Sequence, residues 1–166
     1  CVLDVLTTDL TDLFYSVEAP LCDAEIAEWD TSAVTIMRGT FHNAVLFNGN
    51  LSGWDTRSVI DMSYLFHTAK AFNGDVAGWN TSSVIDMSHT FEDTESFNGD
   101  VSGWDVSRVV DMHDMFENAT SFDGDVSEWD VSRVTDMHDM FKGASRFTGD
   151  VSGWDAPSLV RCDSML

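Results

Sequence analysis

The sequence predicts an α/β repeat solenoid, a coil of about five 25-residue units that each combine short parallel strands with a short helical turn. Three observations predict it. Trp29, Trp54, Trp79, Trp104, Trp129 and Trp154 recur every 25 residues without insertion or deletion. Apolar ladders keep the same register: Phe41, Phe66, Phe91, Phe116 and Phe141; Phe47, Phe72, Phe97, Phe122 and Phe147; Val34 to Val134; and Met37 to Met137. Within a unit, apolar spacing changes from the three-to-four pattern of a helix to short β-branched runs, so no single amphipathic helix accounts for it.

Taken in order, residues 1–28 read as an N-terminal helical capping unit. Leu10, Leu13, Phe14 and Val17 fall at helical spacing, with Thr11 or Asp12 as cap and Pro20 as stop. Residues 29–153 are five repeats. In the unit starting at Trp104, Met112, Met115, Phe116 and Ala119 suit about two helical turns, and the runs around Val101 and Val109–Val110 suit strands of about three residues. The Ala ladder breaks only at Thr94. Residues 154–166 read as a truncated sixth repeat with Leu166 at the Phe position and Cys162 at the Met position, a small buried side chain. An uncapped last unit reads as a chain that continues or as a face that docks on another copy.

A period of 25 residues is too short for a β-propeller blade and falls in the leucine-rich-repeat range. The recurring WDxS, DM, MF and FNGD elements resemble the repeat of BspA-like leucine-rich repeat surface proteins, a type also abundant in mycoplasmal surface lipoproteins, over roughly residues 22–166. The resemblance implies a right-handed solenoid, secreted or displayed at a cell surface, with no catalytic activity.

Composition narrows the partners. With 29 acidic and 8 basic residues the chain carries a formal charge of −21, which argues against nucleic acid and anionic membranes, since both require a basic face. Cations, basic proteins and neutral glycans remain. Apolar residues make up 43% and occupy fixed positions, so the chain reads as folded; it has no apolar run long enough to insert in a membrane. Of its three cysteines, Cys1 and Cys22 form a candidate disulfide if the protein is extracellular.

Chemistry, if any, belongs to the polar ladders. Asp75, Asp100, Asp125 and Asp150 are a candidate Ca²⁺ ladder, because a hard cation would relieve the repulsion of stacked carboxylates. The competing reading is that these aspartates, like those after Trp and before Met, accept backbone N–H bonds in turns. Trp54, Trp79, Trp104 and Trp129 either stack inside the core or, if exposed, form a flat track for a sugar or protein ligand. Asn50, Asn80 and Asn118 begin sequons that suit glycosylation or arise by chance in a Ser- and Thr-rich repeat. His113 and His138, beside Asp114 and Asp139, allow a zinc or pH-sensitive strip or a solvated face.

No catalytic motif appears, so the expected role is an extracellular or cell-surface binding and adhesion module, with an extracellular protein, a glycan or a second copy as partner. The alternative is a structural block of a filament or coat, joined end to end or through Ca²⁺.

Overall fold

The computed structural model describes residues 7–17 and 23–166, in which the chain winds into stacked 25-residue coils built almost wholly from turns. Regular secondary structure is nearly absent. One four-residue helix, α1 (Asp23–Ile26), is the only helix among the described residues. Strand character is confined to single-residue parallel bridges running Asp9, Ile36, Asp61, Asp86, Asp111, Asp136 and Arg161. The expected α/β solenoid of strands and helical turns is therefore corrected to a stack of turn-built coils.

The destination of each backbone N–H explains the correction. In the stretch expected to be helical, Met112, Asp114, Phe116 and Asn118 donate to carbonyls of the following coil, at Asp136, His138, Met140 and Lys142, over 2.8–3.0 Å. The alternate residues Met115, Glu117 and Ala119 donate three residues back, and the His113 N–H goes to Asp111 Oδ1. No donor remains for an i−4 ladder. Asp114 and Asn118 sit at φ 56° and 55°, and the same two places are left-handed in neighbouring units, at His89 and Asp93 and at Asp139 and Gly143. A left-handed residue every fourth position ends helical winding at each step, since only isolated residues tolerate that conformation.

The expected strands fail for a related reason. Around Val101 and Val109 the amides turn inward: Trp104 donates to the Val101 carbonyl and Val109 to that of Val106. Only Val110 reaches the previous coil, bonding the Ile85 carbonyl at 2.8 Å.

The N-terminal helix expected over Leu10 to Val17 is also corrected. Residues 11–16 are turns, with Asp12 and Ser16 left-handed, and Leu10, Asp12, Phe14 and Ser16 donate to Ile36, Arg38, Thr40 and His42. This is the repeat's own turn, displaced by two extra residues, so that Leu10 occupies the Met37 place and Phe14 the Phe41 place. Pro20, Cys1 and Cys22, and with them the candidate disulfide, lie outside the described residues. Cys162 is free and exposed rather than buried.

The core is a set of stacked aromatic columns. Phe41, Phe66, Phe91, Phe116 and Phe141 stack at 5.4–5.5 Å between centroids, and each meets the second Phe of its coil at 3.8–4.1 Å. Val34, Val59, Val84, Val109 and Val134 are fully buried beside them, as are Met37, Met62, Met87, Met112 and Met137. Thr94 keeps its place in the Ala ladder because its buried hydroxyl donates to the Phe66 carbonyl at 2.8 Å.

The FNGD motif divides its labour. The Phe is core. Asn48, Asn73, Asn98 and Asp123 each offer a side-chain oxygen to the backbone N–H of the corresponding residue one coil later, at 2.8–2.9 Å. The glycine lies against the ring of its own motif, so that a Cβ on Gly99 would come within 2.8 Å of the Phe97 ring. The aspartate caps the next turn.

Candidate functional site

Most of the sequence-predicted site residues take part in the hydrogen bonds of the turns or in the packing of the core. Asp75, Asp100, Asp125 and Asp150 accept the N–H of the residue two places on, at 2.9–3.0 Å, and Asp100 also accepts the Ser102 hydroxyl. These bonds hold the carboxyls of Asp100, Asp125 and Asp150 below the usual carboxylate range, the Ser102 hydroxyl leading for Asp100, the Ser127 amide for Asp125 and the Ser152 hydroxyl for Asp150. Hydrogen bonds of the aspartates thus tie these turns together. Asp30, Asn80, Asp105 and Asp130 act in the same way after the tryptophans.

Trp54, Trp79, Trp104 and Trp129 are 3–4% exposed, so they form no aromatic track. Each indole N–H donates to a carbonyl of the preceding coil, as Trp104 does to Val76 at 3.1 Å. Asn50, Asn80 and Asn118 are exposed; Asn50 and Asn80 accept bonds from Ser52 and Ser82, while the Asn118 amide donates to Asp93 at 3.0 Å. A shallow depression bordered by Trp54, Asp55, Thr56, Arg57, Gly78 and Asn80 gathers no nucleophile with a base.

Titratable groups do converge on the turn face. His67 Nε2 lies 3.6 Å from Glu92 Oε2, which also meets His89 Nδ1 at 2.6 Å. His89 Nδ1 is 3.6 Å from Asp114 Oδ2, and His138 Nε2 approaches the same oxygen at 3.8 Å. His113 and His138 stack at 4.8 Å, each holding Nδ1 against the aspartate two residues before it, at 2.6 and 2.7 Å. An imidazole–carboxylate strip therefore crosses successive coils. Pairing of His113 with His138 was visible in the sequence. The entry of His67, His89 and Glu92 was not, because the left-handed turn brings together residues at different repeat positions.

Glu92 titrates low: burial pushes its carboxyl up, but the His89 hydrogen bond and the charges of His67, His89 and His113 outweigh it. A depressed carboxyl stabilises the fold fully above its unfolded value of 4.5 and loses that contribution as pH falls through the lower folded value. Glu92→Gln is expected to cost about 1.5–3 kcal/mol near neutrality, the worth of a hydrogen bond to a charged group. Urea unfolding followed from pH 7 to 3 should show the difference from the parent chain closing below pH 4.5; a constant difference would contradict it.

A family model described as "Mycoplasma protein of unknown function, DUF285" matches residues 8–116 and, again, residues 76–166. Comparison with curated proteins and with solved structures finds no match. Among the described residues, no helix is long and apolar enough to cross a membrane.

Proposed function

The chain belongs to this DUF285 family of Mycoplasma proteins, and from that premise we propose that it is a cell-surface binding module that recognises a basic extracellular protein and performs no chemistry of its own. The observation that supports this most is the bridge ladder. Ile60 and Ile85 are 43% and 40% exposed, and Val110 and Thr135 continue their line half-buried. Each is followed along the chain by a half-buried carboxylate, Asp61, Asp86, Asp111 and Asp136. Every other apolar ladder is consumed by the core, so this β-branched line is what remains for a partner. Apolar contact bordered by negative charge fits an extended basic polypeptide, and the formal charge of −21 favours its approach. The likeness of the repeat motifs to BspA-like surface proteins supports the location outside the cell.

Binding of a peptide that alternates lysine and valine tests the reading. Saturable binding that weakens about tenfold in the double variant Ile60→Ser, Ile85→Ser, and that falls with salt, is the expected result. Equal binding by the variant would overturn it, and so would saturable binding of neutral glycans in place of the peptide. Protease shaving of intact source cells should remove the protein; its survival would count against surface display.

A further inference from the structure

We propose that Asp114, with the imidazoles of His89, His113 and His138, forms a binding site for a zinc-like divalent transition metal. The four residues come from three successive coils and meet around one carboxylate. Ligand atoms of His89, His113 and Asp114 lie within 4.8 Å of one another, and His138 Nε2 is 3.8 Å from Asp114 Oδ2.

The first argument is distance. At 3.8 Å, His138 Nε2 is too far from Asp114 Oδ2 to hydrogen-bond. Two ligands bound to one tetrahedral zinc at 2.0–2.1 Å stand about 3.3 Å apart. The observed gap is close to the edge of that tetrahedron and closes with a small side-chain movement.

The second argument is what Asp114 lacks. Its Oδ1 is buried with no hydrogen-bond partner, and its side chain is only 13% exposed. Neighbouring carboxylates have their cations: Lys142 Nζ sits 2.8 Å from Glu117 and 3.0 Å from Asp139, and Arg161 lies 3.1 Å from Asp136. No lysine or arginine pairs with Asp114 among the described residues. A buried carboxylate oxygen without donor or cation is costly, and a bound metal supplies both charge and coordination.

The third argument is orientation. His113 and His138 give Nδ1 to Asp111 and Asp136 at 2.6 and 2.7 Å, leaving Nε2 as the remaining donor atom of each ring. A carboxylate on the far ring nitrogen fixes the tautomer and raises the basicity of the ligating one, the arrangement that accompanies histidine ligands to zinc. His89 Nδ1 is held in the same way by Glu92 at 2.6 Å, so Nε2 is the nitrogen left for a metal. Imidazole with a single carboxylate selects zinc, cobalt or nickel over calcium, which takes oxygen ligands.

The test is titration of the intact chain with Co²⁺, followed by displacement with Zn²⁺. One equivalent should bind with the visible absorption of a tetrahedral Co²⁺ centre, and Zn²⁺ should bleach it. Asp114→Asn should weaken Co²⁺ binding at least tenfold. Asp136→Asn, which leaves the ligands in place but removes the carboxylate that holds the His138 ring and pairs with Arg161, should weaken it about tenfold. Asp100→Asn, on the exposed turn ladder, should bind as the parent does. Circular dichroism and melting in EDTA establish that each variant is folded. Absence of a saturable tetrahedral spectrum, or equal affinity in the folded Asp114→Asn chain, would overturn the site. So would an equal loss in Asp100→Asn, which would assign binding to the general negative charge.

Discussion

A chain lacking residues 79–91 is expected not to fold, whereas one lacking residues 79–103 is expected to fold with one coil fewer. The longer deletion removes one whole period and joins Gly78 to Trp104, restoring the Gly–Trp junction found at Trp54, Trp79, Trp104 and Trp154. Each column then closes over the gap: Phe66 meets Phe116, Met62 meets Met112, and the Asn73 side chain meets the Asp123 amide. Stability falls by one coil's share, because such arrays behave as sums of units and neighbour interfaces. The shorter deletion places Glu92 after Gly78 and puts Glu92 and Asp100 where the buried Trp79 and Met87 had been. Every later coil would keep its own columns but lose register with the earlier ones. Circular dichroism and urea unfolding separate the outcomes. A cooperative transition in the chain with the shorter deletion would contradict the stacking account.

Replacing Phe116 by alanine is expected to cost about 3–5 kcal/mol, the range for emptying a large aromatic site. The ring is fully buried, 5.4 Å from Phe91, 5.5 Å from Phe141 and 3.9 Å from Phe122. Its backbone is tied to the following coil by the N–H bond to Met140, which limits collapse into the space. A loss below about 1.5 kcal/mol by urea unfolding, the range of a volume-conserving swap, would show that the column relaxes around the gap.

The core was legible in the sequence because burial follows register, and register follows the tryptophans. The Phe, Val and Met ladders therefore appear where the period places them. Secondary structure was not legible in the same way. Met112, Met115, Phe116 and Ala119 have helical spacing, yet overlapping turns of three residues bury the same positions, so apolar periodicity cannot separate the two. The separating signal lies in glycines and asparagines: Gly39, Asn43, Asn118 and Gly143 occupy left-handed positions that such residues accept most readily. The first coil was missed because two extra residues displace it from the count of 25. At the candidate metal site, His113 and His138 share one repeat position, but His89 occupies another and joins them only because the chain turns left-handed there.

The four amides that each turn sends to the next coil have a further consequence. The peptide whose N–H leaves Met112 receives, through the Asp111 carbonyl, the N–H of Met87; His89, His113 and His138 repeat this one place along. Peptide groups on this face thus form four continuous columns with every N–H pointing toward the later coil. Each group carries a dipole of about 3.5 D, and aligned dipoles add rather than cancel. The turn face is polarised along the length of the array, and two copies lying side by side on it would gain by running in opposite directions.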